Sequence, residues 1–265
     1  MTCPDHAHLL RTLYRAVAPR YEADIAPVFA TLAARLLDGL ALDPADIVLD
    51  LGTGTGVVAQ LVAPAVRAVV GIDLSAAMLA QARGGRFVCA DAHALPLPPA
   101  AFDVALAAFC FNETKPACAF AEAHRVLREG GRLALLEWGP ADPLMLQVDE
   151  TLAEFAPDAA AGFHAGMRRL AAARRPWDEA VADCGDLADL LRAVGFKAVA
   201  CEEIVARVPF TDGDAFLRYA LAWPPRRVEV EAMSARARFI RALRACLGAG
   251  ALVWEPALFR AFATR

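Results

Sequence analysis

Apolar residues recur at spacings of three and four near the start of the chain. They form two stripes, Leu9, Leu10, Leu13 and Val17, then Val28, Leu32, Leu36 and Leu37. That spacing lines one face of a helix, so residues 8–40 predict two amphipathic helices with Pro19 as the break between them. The pattern changes at about residue 47. From there to about 139, short aliphatic runs at 47–51, 68–74, 86–90, 104–109 and 132–137 alternate with helix-like stretches. Strands covered on both faces read as continuous apolar runs because neither face meets water, so this alternation predicts βαβ units and a parallel sheet. Between 140 and 180 the rhythm gives way to helical sequence containing Ala, Arg and Phe, with no strand run. It returns with a helix over 186–194, opened by a capping aspartate and closed by Gly195, and a strand over 198–208. Thr211 and Asp214 are spaced as a capping box for a further helix, and another helix lies near 229–247. At 257–263, Leu258, Arg260 and Phe262 alternate with Phe259 and Ala261, as a strand requires.

No internal repeat or low-complexity linker interrupts the chain. The economical organisation is one α/β domain over 1–265: N-terminal helices at 1–40, a ligand-binding core at 45–140, and a helical cap drawn from 140–180 and 212–247. With 265 residues, 58% of them apolar and 22% charged, the chain has material for a real core and lacks the composition of a disordered protein. The longest uncharged apolar run, 104–111, is far short of the roughly 20 residues of a spanning helix, so no membrane span is expected. Asp5, His6, His8 and Arg11 leave no room for the apolar segment of a secretory signal. A net charge of −4 offers nothing to attract nucleic acid. The seven cysteines are scattered and never spaced C-x-x-C, which argues against a disulfide framework or structural zinc and for a reducing, cytoplasmic setting. Cys3, His6 and His8 make a poor metal set, and no metal site is expected.

The strongest chemical signal is Val48-Leu49-Asp50-Leu51-Gly52-Thr53-Gly54-Thr55-Gly56, an apolar strand running straight into a Gly-x-Gly-x-Gly turn. Glycines serve where a ligand must touch backbone and where a strand must turn sharply into a helix. The dinucleotide fingerprint would place its third glycine at Val57, and no lysine follows to make a phosphate-cradling loop. By itself such a turn suits any α/β protein. Two acids change that. Asp73 ends the second strand, 21 positions beyond Gly52, where a carboxylate can accept both hydroxyls of a ribose. Asp91 ends the third strand at the same edge, suited to an adenine amino group.

With these residues in order, the chain resembles the class I S-adenosylmethionine-dependent methyltransferases, carried by VLDLGTGTG (48–56), GIDLSAAML (71–79), ADAHALPLPPAAFDVAL (90–106) and EAHRVLREGGRLALLEWG (122–139). Within that superfamily it is most similar to the ubiquinone/menaquinone-biosynthesis type, through LYRAVAPRY (13–21) and AAFCFNET (107–114). The resemblance implies a doubly wound, mostly parallel seven-stranded sheet of the Rossmann-like methyltransferase kind. Its last strand would run antiparallel between strands five and six. It also implies S-adenosylmethionine as cofactor: Gly52, Thr53, Gly54 and Gly56 along the methionine part, Asp50 toward its amino group, Asp73 on the ribose hydroxyls, Leu74 and Met78 against adenosine, Asp91 and Ala92 at the adenine edge, Ala108 and Phe109 near the methionyl chain, and Tyr21 closing over it.

The acceptor side is thinner. His164, beside Phe163 and Met167, is the candidate general base, needed only if the acceptor must lose a proton; a histidine there is otherwise a satisfied or solvated one. His93 is expected to border the adenine and His124 to sit on a helix surface. Asn112 and Trp138, after strands four and five, point to the acceptor side, though Trp138 is equally a core residue. The expected partner is a small organic acceptor, quinone-, phenol- or other natural-product-like; the sequence leaves the oligomeric state open. The rivals are an NAD(P)-dependent oxidoreductase, disfavoured by the glycine spacing, and a non-catalytic, protein-binding relative of the methyltransferase fold.

Overall fold

The computed structural model describes residues 4–155, 176–248 and 250–265. In chain order its elements are α1 (Pro4–Asp24), α2 (Ala26–Leu37), β1 (Ile47–Leu51), α3 (Val57–Val62), β2 (Ala68–Asp73), α4 (Ala76–Leu79), β3 (Arg86–Cys89), β4 (Phe102–Ala108), α5 (Pro116–Val126), β5 (Leu127–Trp138) and α6 (Pro143–Phe155). Then come α7 (Pro176–Ala180), α8 (Cys184–Ala193), β6 (Lys197–Val205), β7 (Val208–Phe210), α9 (Gly213–Ala222), α10 (Pro224–Ala232), α11 (Arg236–Leu247), β8 (Leu252–Trp254) and β9 (Ala257–Thr264). Among the described residues no helix is long and apolar enough to cross a membrane.

One seven-stranded sheet runs β3-β2-β1-β4-β5-β9-β6. Its pairs are parallel except where β9 lies antiparallel between β5 and β6. This is the architecture implied by the four motifs, terminal strand included. The strands bury both faces with a period of two. Val104 and Leu106 of β4, Ala134 and Leu136 of β5, and Leu258 of β9 pack with α2 and α3. Ala105, Ala107, Leu133, Leu135, Phe259 and Ala261 pack on the other side with α5 and α8. On α2, Val28, Phe29, Leu32 and Leu36 face the sheet, Leu32 and Leu36 fully buried; each such side chain contributes about 1.5–3 kcal/mol.

Four local expectations are corrected. Pro19 lies inside α1, where it forfeits one backbone hydrogen bond while buried Val17 and Ala18, just before it, pin the helix to the core. The break comes at Ile25, with Pro27 in the first turn of α2. The cap of α8 is Asp183, whose side chain accepts from the Gly185 and Asp186 amides. The cap of α9 is Asp212, accepting from Ala215 N at 2.7 Å, with Thr211 Oγ1 bonded to Asp212 rather than to the helix. The strand expected to run to 208 stops at Val205; Val208–Phe210 instead pairs with Leu252–Trp254 in a separate two-stranded ribbon.

Candidate functional site

Because β1 to β4 are parallel, their carboxyl ends share one edge, and a cavity of about 1110 Å3, counted with its mouth, opens there. Gly52, Thr53, Gly54 and Thr55 of the turn after β1 form one side. Asp73, Leu74, Ser75 and Met78 follow from β2 and α4, Ala90 to His93 from the end of β3, and Ala108 to Cys110 from β4. Leu10, Arg11, Tyr14 and Tyr21 of α1, Phe29 and Ala33 of α2, and Trp223 between α9 and α10 close the rest.

The loop geometry follows from its glycines. Gly54 has φ +57°, and a Cβ there would meet nothing nearer than Met78 Cε at 3.5 Å, so its missing side chain leaves open space. Gly56 is different. It does not line the cavity, and a Cβ would stand 2.3 Å from the Arg83 carbonyl oxygen, so it serves the packing of α3 rather than a ligand. Asp73 organises the turn: Oδ2 accepts from Gly54 N at 2.9 Å and Oδ1 from Ser75 N at 2.7 Å. Ser75 caps α4, its hydroxyl accepting from Met78 N at 3.4 Å, which seats Met78 in the wall. Asp50 lies behind the loop, fully buried, where Thr53 Oγ1 donates to it at 2.6 Å; it does not reach the wall. Thr55 Oγ1 borders the cavity, buried and without a hydrogen-bond partner among the described residues.

His93 does border the cavity, and both its nitrogens are engaged. Nδ1 lies 2.5 Å from Asp91 Oδ1, and Nε2 accepts from Lys115 N at 2.8 Å. These contacts fix a tautomer in which Nδ1 carries the proton. His124 packs edge-on against Phe196, away from the cavity. Phe109 stands at φ +57°, a costly conformation for a bulky residue. It is held by Phe109 N donating to Leu136 O and by stacking on Trp138 at 4.2 Å. Trp138 therefore backs the wall without lining it, and Asn112 is buried with Oδ1 unpartnered among the described residues. Phe163, His164 and Met167 lie outside the described residues.

The segment after Phe109 is anchored from below by Glu137, fully buried at the end of β5, whose Oε1 accepts from Phe111 N at 2.6 Å. Burial pushes its carboxyl up to about 8, against the lowering effect of the Phe111, Asn112 and Cys110 amides, and burial likewise raises Asp50 to about 7. Both groups ionise early in the unfolded chain and late in the folded one. The folded state therefore binds more protons, and stability falls as pH rises from the ordinary carboxylate range to about 7–8. Each group sets a slope of up to about 1.4 kcal/mol per pH unit across its window. Glu137→Gln is expected to flatten the loss of stability between pH 5 and 8, read by urea unfolding at several pH values; an unchanged slope would remove Glu137 as its source.

Among the described residues that line it the cavity is acidic, with Asp73, Asp91 and Glu113 against Arg11. Burial also raises Asp73, although two amides oppose that shift, and keeps the Tyr14 and Tyr21 phenols protonated. The expected wall residues Tyr21, Gly52, Thr53, Gly54, Asp73, Leu74, Met78, Asp91, Ala92, Ala108 and Phe109 are all brought together here. Sequence reasoning missed Leu10, Arg11, Tyr14 and Phe29. The helical spacing of Leu10, Tyr14 and Tyr21 along one face of α1 was the signal available for part of that set.

Residues 49–135 match the family model of a methyltransferase domain. The chain is 41% identical over 147 residues to a demethylmenaquinone methyltransferase of Thermus thermophilus, covering 48% of this chain and 65% of that protein. It is 36% identical over 130 residues to a malonyl-[acyl-carrier protein] O-methyltransferase of Herminiimonas arsenicoxydans, covering 48% of this chain and 50% of that one. The matches thus span about half to two thirds of these curated relatives. Among solved structures, an S-adenosylmethionine-dependent methyltransferase of Thermotoga maritima shares the fold with TM-score 0.56 at 20% identity, over 96% of this chain and 98% of its own. The motif resemblance is met by these similarities.

Proposed function

We propose that the protein binds S-adenosylmethionine in this cavity and transfers its methyl group to a small organic acceptor by in-line displacement. The observation that carries this reading is the placement of Asp73 and Asp91 at adjacent strand ends beside the open face of Gly54, in a cavity whose charge favours a cation. The orphaned Thr55 hydroxyl adds a polar group for a ligand to satisfy. S-Adenosylmethionine, when bound, supplies a methyl already activated by a positive sulfur. What this chain contributes is orientation: Asp73 and Asp91 grip the adenosine, the glycine turn admits the methionine part, with Asp50 one layer behind it, and Tyr21 covers the site. Positioning of that kind supplies about 7–11 kcal/mol.

The acceptor we infer is flat and largely apolar, of quinol or phenol type. Phe29, Phe109 and Trp223 present aromatic surface to the cavity, with the Phe29 and Phe109 rings 4.9 Å apart and Phe29 and Trp223 5.5 Å apart. The demethylmenaquinone relative points the same way. In this reading the segments 140–180 and 212–247 form the acceptor cap, with Phe163 and Met167 on its side, while Asn112 and Trp138 lie off the cavity and Trp138 acts by holding Phe109. His164 would act as base only for an un-ionised hydroxyl.

Calorimetric titration with S-adenosylhomocysteine and, separately, NADH tests the cofactor. Binding of the first alone is expected, and binding of NADH alone would overturn the reading in favour of an oxidoreductase. A panel of phenols, quinols and amines then tests transfer through release of S-adenosylhomocysteine. Cofactor binding without turnover across the panel would favour the protein-binding alternative.

A further inference from the structure

Away from the cavity, two cysteines distant in sequence meet. Cys184 is the first residue of α8, its backbone fixed by the Asp183 cap. Cys201 lies on β6, the outer strand of the sheet, held in register opposite Ala261 of β9. Both side chains pack into the same core layer as Leu187, Leu191 and Ala261, and the two thiols lie close enough to perturb each other's ionisation. Each is half-buried, so small oxidants can reach them. Cys89, Cys118 and Cys246 are exposed, while Cys110 lies under the glycine turn.

We propose that Cys184 and Cys201 are a reversible dithiol–disulfide pair, oxidised by peroxide, that latches α8 to the outer strand of the sheet. The inference is independent of methyl transfer. In the first step the Cys184 thiolate attacks one oxygen of hydrogen peroxide, the O–O bond breaks, and a sulfenic acid and hydroxide result. The Cys201 sulfur then attacks the Cys184 sulfur, and the sulfenic oxygen leaves as water. Two thiols and one peroxide give one disulfide and two waters. A small-molecule dithiol reverses the step by exchange. Burial raises both thiols, Cys201 the further, so Cys184 is the attacking sulfur and the reaction quickens as pH rises. In a reducing compartment such a bond is transient rather than structural.

The test treats the fully reduced, full-length protein with hydrogen peroxide at pH 7 and pH 9 and maps its peptides without reduction. A 184–201 crosslink two hydrogens lighter than the dithiol is expected. It should form faster at pH 9 and be reversed by dithiothreitol, with a rise in Tm of about 5–10 °C from closing the loop. Cys184→Ser and Cys201→Ser should each abolish crosslink and Tm rise, and Cys89→Ser should leave both. The wild-type map stands even if a variant fails to fold. Oxidation of Cys89, Cys118 or Cys246 without a 184–201 crosslink, or crosslinks joining other cysteines, would overturn the proposal.

Discussion

Gly54→Val is expected to lose S-adenosylhomocysteine binding by more than about 1000-fold, roughly 4 kcal/mol, in a chain that still folds. At φ +57° a β-branched residue carries a strain of about 1–3 kcal/mol, which calorimetry should register as a lowered Tm without loss of cooperative unfolding. The larger effect is spatial. The new Cβ meets no protein atom closer than Met78 Cε at 3.5 Å, so the side chain has somewhere to go, and that space is the cavity itself. Gly56→Val provides the contrast. Its Cβ would stand 2.3 Å from a backbone oxygen, so folding rather than binding should fail. Affinity within a few-fold of wild type in folded Gly54→Val would show that the turn does not contact the ligand.

Asp73→Ala is expected to weaken the same ligand by about 100-fold. Loss of hydrogen bonds from ligand hydroxyls to an ionised carboxylate costs about 1.5–3 kcal/mol, or ten- to a hundredfold. The upper end applies because the same carboxylate holds Gly54 N and Ser75 N, and so the shape of the turn and the start of α4. Asp73→Asn keeps one acceptor oxygen and should fall between. Titration of both variants, with Tm measured alongside, separates a lost contact from a collapsed loop. Unchanged affinity in folded Asp73→Ala would remove the ribose assignment.

The part of the molecule that was legible in the sequence is the part where a single physical rule dominates. Parallel strands covered on both faces must be apolar throughout, so β1, β2 and β4 announce themselves, and ligand groups cluster at strand ends where the turns change direction. The roof of the cavity obeys no such local rule. Tyr14 and Phe29 come from the consecutive helices α1 and α2, Trp223 from the junction of α9 and α10 near the other end of the chain, and they converge only through tertiary packing. Pro19 was misread for a related reason, since a helix buried along one face tolerates a lost hydrogen bond that would break an exposed one. The β7–β8 ribbon was missed because its three-residue strands pair across an intervening helical segment and leave almost no periodicity to read.

The position of β9 has a consequence for synthesis. β5 and β6 are both made before the strand that joins them. Until β9 emerges from the ribosome, β6 has no neighbour in the sheet and the row of β5 backbone groups that will face Phe259 and Ala261 is an open, apolar edge. Such an edge invites pairing with another nascent chain. Closing it requires contacts between residues widely separated along the polypeptide, which is slow compared with helix formation. The half of the sheet that carries the cavity can assemble as it is translated, whereas the far half must wait, and that interval is when an open edge is most exposed to aggregation.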